Sequence, residues 1–320
     1  MSVKIAVLIP AYNAQDFIIE ALDSISNQLR RPEEIIVIDD GSKDNTASLI
    51  KQWSLNKKTS VNLIQQENKG LPAARNRGII AATADWIALL DADDRFLPNH
   101  LAKMEQAITS QPDVIAVFGD GAVFGPPDVR PQPFSRHKAI AAADTINSNG
   151  IYIIGKKLYS SLIPGNYIMP CCFVFKRSVA INIGMFDESM RFIEDRDFML
   201  RLSRKGNFGF IDHITAEART HDDNITHPKN ATRNTYFALR VLKKALDHAV
   251  EIKLDSDELK LTKTQFRQTM SQLIYSSSMN GLKSYLQAQR HLAGMPFTTA
   301  DQFNPKHLLR AIYYSIRNSH

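Results

Sequence analysis

Two carboxylate clusters, Asp39-Asp40 and Asp91-Ala92-Asp93-Asp94, directly follow short apolar runs in the first hundred residues. A third apolar run, Val3 to Ile9, ends at Pro10-Ala11-Tyr12-Asn13. Such runs read as buried strands, and polar groups at the carboxyl ends of strands in an open α/β sheet line a ligand crevice. Asp91 and Asp93 are two apart, so in extended chain their carboxylates share a face. Clustered carboxylates suit a hard divalent cation, Mg2+ or Mn2+, which takes oxygen ligands and leaves positions open for phosphate. The pattern predicts a site for a metal and a nucleotide.

Four further segments carry chemistry-bearing residues, each with a plain structural reading beside it. Asp39 can accept hydrogen bonds from a base N–H or from ribose hydroxyls, although Gly41 and Ser42 would equally serve a helix-entry turn. In Asn68-Lys69-Gly70-Leu71-Pro72-Ala73-Ala74-Arg75-Asn76-Arg77-Gly78, Gly70 would allow close approach and Arg75 could face a pyrophosphate or a base; a basic solvated helix is the alternative. Glu194-Asp195-Arg196-Asp197 opens a helix, where acids complement the dipole without any catalytic role. Packing against Met185, Phe186, Phe192 and Phe198 would instead suit a proton acceptor, because burial opposes the dipole. His221, in His221-Asp222-Asp223-Asn224-Ile225-Thr226, is a metal ligand, a phosphate contact or a polar loop residue. Two look-alikes are rejected. Gly150 to Lys157 mimics a P-loop but lacks the Ser/Thr that holds magnesium, and Gly119-x-Gly121 leads into prolines rather than a helix.

The elements that must position these groups alternate. Strands are expected at 3–9, 34–38, 61–65, 85–90 and 114–118, and helices at 14–29, 44–54, 71–82 and 98–110. Asn13 is expected to cap the first helix, Asp44 or Asn45 the second, and Pro98 to lie in the first turn of the fourth. Alternation of this kind predicts a mostly parallel sheet with helices on both faces. Gly119 to Pro133 reads as loop; short strands follow at 151–154, 172–175, 208–211 and 215–219, and a helix runs from Glu194 to Arg204. From about 230 the pattern is helical, with apolar repeats such as Phe237, Val241, Ala245 and Ala249. The domains expected are 1–229, divided into a nucleotide-binding half (1–118) and an acceptor-side half (119–229), and a helical extension, 230–320.

The chain has 320 residues and an ordinary globular composition, 44% hydrophobic and 22% charged. No apolar run reaches membrane-spanning length, no signal peptide is apparent, and the adjacent Cys171 and Cys172 read as a reduced core pair. A cytoplasmic protein is expected. The net charge of +6 lies in the tail: residues 231–320 carry +7 and the rest is close to neutral. The last amphipathic segment sets Leu308, Leu309, Ile312, Tyr313 and Ile316 beside Lys306, Arg310 and Arg317. That face could pack within the protein, form a homodimer, or lie peripherally at the inner face of a membrane.

Taken in order, the motifs resemble the family 2 glycosyltransferases of GT-A fold, whose Rossmann-like sheet binds a nucleotide-diphosphate sugar. The segments that carry the resemblance are Ile9 to Asn13, Asp39 to Ser42 with Asp44-x-Thr46, Asn68-x-Gly70 with Ala74-Arg75-Asn76 and Gly78, Asp91 to Asp94, Gly184 to Glu188 with Glu194-Asp195-x-Asp197, and His221 with Asn224 and Thr226. The resemblance implies metal-dependent, inverting transfer of the hexosyltransferase type to a hydroxyl of a glycan or lipid-linked acceptor, in cell-surface polysaccharide or glycan synthesis, with no nucleic-acid partner. It places Pro10, Ala11, Tyr12, Asn13, Asp39, Asp40, Asn68, Gly70, Arg75, Asp91 and Ala92 at the donor nucleotide. Asp93 becomes a metal ligand, with Asp91 and His221 as further candidates; Asp195 becomes the general base, and Glu194 and Asp197 lie on the acceptor side. Met185 replaces a glycine common at its position, a departure expected to be neutral. No Gln-x-x-Arg-Trp motif is present, which disfavours a processive synthase. The rival readings are a sugar-1-phosphate nucleotidyltransferase, which lacks its usual Gly-rich loop after strand 1 here, and a non-catalytic nucleotide-sugar binding module.

Overall fold

β1 (Ile5–Ala11) is buried along its whole length, and β2 (Glu34–Asp39) nearly so. β1 and the interior of β2, Ile35 to Ile38, are uninterrupted apolar runs, as strands covered on two faces must be. The computed structural model describes residues 3–125, 134–147, 149–221, 230–293 and 304–317. The chain folds as two compact units, Met1–His221 and Asp222–His320.

In the first unit the elements run β1, α1 (Ile18–Ser26), β2, α2 (Thr46–Lys57), β3 (Asn62–Gln65), α3 (Leu71–Ala81), β4 (Trp86–Leu89), β5 (Arg95–Phe96), α4 (His100–Ser110) and β6 (Val114–Phe124). They continue through α5 (Arg136–Ala142), β7 (Thr145–Ile146), β8 (Ile151–Ile154), α6 (Leu158–Leu162), β9 (Phe173–Lys176), α7 (Arg177–Asn182), α8 (Glu194–Ser203) and β10 (Asn207–Arg219). Ten strands form one sheet in the order β3-β2-β1-β4-β9-β6-β10-β8-β7, with β5 on β10. Pairing is parallel through β3-β2-β1-β4, and β1, β2 and β3 are each followed directly by a helix. Antiparallel β9 then lies between β4 and β6, and the sheet becomes mixed.

Register decides what the strand ends can do. Ala11 is paired with Asp39, so the loops after β1 and β2 leave the sheet at one level. Leu8 is paired with Leu89, and Leu90 N donates to Leu8 O, which carries Asp91 to the same edge. α3 lies on β1 and β2 because Gly78 has no side chain: a Cβ there would stand 2.0 Å from Leu8 Cδ1.

Four expectations fail, two through local turns and two through strand pairing. Asn13 does not cap α1; its φ of 48° turns the chain, Phe17 N and Ile18 N both donate to Ala14 O, and the helix starts only at Ile18. Pro98 precedes α4, which begins at His100; the Pro98 carbonyl accepts from Leu29 N instead. Residues 119–124 are strand, not loop, because β6 pairs with β10 as far as Phe124 and Arg219. The runs at 208–211 and 215–219 are one strand, with irregularities between Ile211 and Ala216 where β10 changes its antiparallel partner from β8 to β5. Bulges commonly serve such a change of direction. At the start of α2 the N-cap position is Asn45, which makes no side-chain cap bond, while the Asp44 carboxylate just before it accepts from Thr46 N and Oγ1.

The second unit holds α9 (Ala231–Asp247), α10 (Ser256–Met279), α11 (Leu282–Leu292) and α12 (Pro305–Arg317). α10 is the central helix, packed by the other three, and starts in a capping box made by Asp255 and Glu258. Phe266, Met270, Leu273 and Ile274 form its buried stripe.

Gly78→Ala tests the close contact of α3 with β1. The methyl must displace Leu8 in a filled core, and such overpacking typically costs about 1–3 kcal/mol. Chemical denaturation is expected to show that loss, and Gly165→Ala, where nothing lies within 4 Å of the added carbon, is expected to show much less.

Candidate functional site

The groups predicted from sequence lie along the carboxyl edge of β1, β2 and β4, and hydrogen bonds join them in series. Asn13 Oδ1 accepts from Lys43 N at 2.8 Å, and Ser42 Oγ accepts from Asn13 N at 3.0 Å, so the first two loops are fastened together. Tyr12 and Asn13 are exposed there, while Pro10 and Ala11 are buried in the strand. Asp39 is 1% exposed; its carboxylate accepts from Ser42 N and from Gln65 Nε2. Asp40 faces the third loop, accepting from Lys69 N, Gly70 N and Gln66 Nε2 at 2.7–2.9 Å. Gly41 has a φ of +78°, and a Cβ on it would meet Asn68 N at 2.9 Å; only glycine lets the two loops approach so closely. Asn68 is exposed beside it.

Arg75 is the centre of the site. It projects from α3, is 1% exposed, and donates from Nη2 to Asp91 at 2.8 Å and from Nη1 to Glu194 at 2.7 Å. The sequence reading put this guanidinium on a base or pyrophosphate. In the structure it joins the end of β4 to the start of α8, where Glu194 is 119 residues from Arg75 in the chain. Its Nε has no partner among the described residues. The two carboxylates hold its pKa above the usual arginine value, against burial, so it stays charged. Burial pushes Glu194 up to about 7; Arg75 opposes this and the neighbouring Asp195 adds to it.

α8 brings its first-turn acids to different partners. Asp195 is half-buried and its Oδ2 accepts from Asn166 Nδ2 at 2.7 Å. Asn166 is itself fixed, donating to Ile168 O and accepting from Ile168 N. Asp197, expected on the acceptor side, is 3% exposed and pairs with Arg201 one turn on. Arg201 also donates to the carbonyls of Ile183 and Met185. Asp197 thus fastens the Gly184-to-Glu188 loop to α8, and Asn76 holds that loop from the other side through Phe186 N, Phe186 O and Glu188. Met185 has a φ of 55°. Glycine adopts that conformation without the Cβ clash, so the methionine is a strained substitution rather than a neutral one. Ile193, just before Glu194, is also left-handed, with a φ of 62°. A β-branched residue there is rare, and such strain gathers at functional sites.

At the end of β4, Asp93 Oδ2 lies 3.1 Å from His221 Nε2, whose ring stacks on Phe17. Burial, and then repulsion from Asp91, raises the pKa of Asp93; burial, Asp93 and Asp91 raise that of Asp94 well above the usual range. Arg219 ties this turn to β10, with its N donating to Asp94 Oδ1 and its Nε to Asp93 O. The donor set suits a divalent cation. Adjacent ligands of an octahedral ion at magnesium-like bond lengths stand about 3 Å apart, and a cation would relieve the crowding of acids. Among the described residues no group of three or more His, Cys, Asp or Glu is arranged to hold a metal ion by itself. Asn224 and Thr226 lie outside the described residues. Sequence reasoning missed Asn166 and Arg219. Asn166 sits in a turn with no pattern, whereas Arg219 ends a strand two residues before His221 and was within reach.

Residues 6–184 match the model of glycosyl transferase family 2. The chain belongs to that family. Its relatives include an uncharacterized glycosyltransferase of Rickettsia typhi, 27% identical over 88% of this chain and 82% of that protein. Another is the uncharacterized glycosyltransferase YibD of Escherichia coli, 39% identical over 37% of this chain and 34% of YibD. Among solved structures, Staphylococcus aureus TarS superposes with a TM-score of 0.61 at 17% identity, covering 91% of this chain and 50% of TarS. The mannosyltransferase PcManGT of Pyrobaculum calidifontis, solved with GDP-Man and Mn2+, superposes with a TM-score of 0.60 at 18% identity, covering 99% of this chain and 82% of that one. The family 2 chain therefore has the GT-A fold with added C-terminal helices, and its chemistry is glycosyl transfer.

Glu194 makes stability depend on pH. Folded, it holds its proton up to about pH 7; its ordinary value is 4.5. Between those values the folded state binds more protons than the unfolded state, so stability falls as pH rises through the window. Urea denaturation is expected to show wild type losing up to about 1 kcal/mol per pH unit relative to Glu194→Gln over that range. Parallel curves for the two proteins would remove Glu194 as the titrating group.

Proposed function

We propose that this glycosyltransferase moves a hexosyl group from a nucleoside-diphosphate sugar to an acceptor hydroxyl, with inversion, using a divalent cation and Asp195 as general base. The observation that carries the reading is the Arg75 bridge. It sets the acidic turn of β4 beside the helix start that holds Asp195, so a donor-side and an acceptor-side carboxylate face one edge. Exposed Tyr12, Asn13 and Asn68, with Asp39 behind them, form the side that receives the nucleotide. TarS has been solved with UDP-GlcNAc and PcManGT with GDP-Man, which supports a nucleotide-sugar donor.

A cation on Asp93 and His221, with Asp91 beside them, would offset the charge that builds on the departing diphosphate. Asn166 holds one oxygen of Asp195 and so orients its carboxylate. Asp195 takes the proton of the acceptor hydroxyl while that oxygen attacks the anomeric carbon from the face opposite the diphosphate. One displacement then inverts the centre without an enzyme nucleophile. Arg75 keeps Glu194 from drifting and takes no part in proton transfer. The acceptor is a glycan or a lipid-linked glycan of a surface polysaccharide.

Thermal protection by UDP-, GDP-, dTDP- and CMP-sugars, with and without manganese, identifies the donor. Release of nucleoside diphosphate, rather than pyrophosphate, separates transfer from nucleotidyl transfer. Asp93→Ala is expected to abolish manganese-dependent protection while leaving the unliganded melting temperature nearly unchanged, since its side chain is partly exposed at a strand end. Transfer at the wild-type rate by that variant would remove Asp93 from the mechanism.

Asp195→Asn keeps the shape of the side chain but cannot accept a proton. Its kcat is expected to fall by about 10²–10⁴-fold, with donor affinity nearly unchanged. Loss of donor affinity alone would make Asp195 a binding residue, and unchanged turnover would favour a different base.

A further inference from the structure

α12 packs in reverse of an ordinary amphipathic helix. Its buried residue is Ala311, and Ser315 Oγ accepts from Leu282 N at the start of α11. Arg310 lies over the Tyr275 ring of α10, 4.5 Å from its centre. The helix is therefore held to α10 and α11 by small and polar side chains. Its large apolar residues face elsewhere: Leu309, Tyr313 and Ile316 are 66%, 58% and 62% exposed, and Leu308 and Ile312 are 40% exposed. At 3.6 residues per turn these five positions fall within an arc of about 140°. Lys306 and Arg317 lie along one edge of that arc and are exposed.

Charge says what such a face can meet. Across described residues 259–293 and 304–317 there are eight Lys and Arg and no Asp or Glu. A second copy of this chain would bring like charge against like charge, which disfavours self-association. Nucleic acid would satisfy the cations but leave the aliphatic arc in water. An exposed arc of Leu, Ile and Tyr edged by cations fits a helix lying in the headgroup layer of an anionic bilayer, with its apolar side at the acyl boundary.

We infer that α12 is a membrane-docking helix, which inserts Leu309, Ile312, Tyr313 and Ile316 into an anionic lipid surface while Lys306 and Arg317 contact the lipid phosphates. The inference stands apart from the transfer chemistry, and its test needs no donor.

The full chain is floated with vesicles of pure phosphatidylcholine, or of phosphatidylcholine with phosphatidylglycerol, at low and high salt. Wild type is expected to float only with the anionic vesicles, and high salt to release most of it. Lys306→Gln with Arg317→Gln is expected to weaken partitioning by roughly fivefold for each charge removed. Leu309→Ser with Ile316→Ser is expected to weaken it by about tenfold or more, through lost apolar burial. Both variants change exposed side chains, and a circular-dichroism melt confirms their folding. Wild type remaining soluble with anionic vesicles at low salt overturns the inference. So does a serine variant that binds like wild type, which would leave only diffuse charge attraction. Sedimentation velocity without vesicles supplies the last arm: a concentration-dependent dimer that the serine variant abolishes would assign the face to a second copy instead.

Discussion

A guanidinium with 1% exposure, held between Asp91 and Glu194, is the constraint on which the rest of the site depends. Removing such a charge from water is expensive, and a buried pair that loses one partner typically destabilises by about 3–5 kcal/mol. Arg75 is therefore committed to both carboxylates at once, and each belongs to a different part of the chain. Asp91 ends a central parallel strand; Glu194 begins a helix that packs on antiparallel β9 through Phe198 and Phe175. The bridge sets their separation, and with it the spacing between the acids after β4 and Asp195.

Several motif residues fasten loops around that bridge. Asp40 holds the loop ahead of α3, Asn76 and Asp197 hold the Gly184-to-Glu188 loop from two sides, and Gly78 lets α3 lie against Leu8. Their effect is cooperative. Each closes a loop beside the candidate site, and a loop held by hydrogen bonds presents its side chains in one position. Pre-organisation of this kind is what electrostatic catalysis requires, because the charges need not rearrange as the reaction proceeds. Left-handed Met185 and Ile193 show that some local strain accompanies it.

The parallel half of the sheet was legible because its signal is local. A strand buried on both faces must be a continuous apolar run, and Ile5 to Ile9, Ile35 to Ile38 and Trp86 to Leu90 have no other easy reading. The polar groups after them could be assigned to one edge from topology alone. The second half was less legible. Residues 119–124 became strand only because β10 lies beside them, and a glycine-rich stretch gives no periodic sign of that. Asn166 was missed for the same reason, since a partner 29 residues away leaves no mark on local spacing; Arg219, two residues before His221, was within reach although its partner Asp93 is 126 residues away.

By itself, the sequence determined the strand–helix alternation, the placing of carboxylates at strand ends, and the family to which those motifs belong. It also determined that the C-terminal region is helical and basic, since both follow from composition and period. Tertiary structure alone decided which acids are free to meet a ligand and which are bound by the protein, because that depends on a buried cation recruited from another helix. It also decided that α12 would pack through Ala311 and Ser315 and leave its aliphatic arc exposed. Helical periodicity identifies an apolar stripe, but the shape of neighbouring helices selects the face that fits against them.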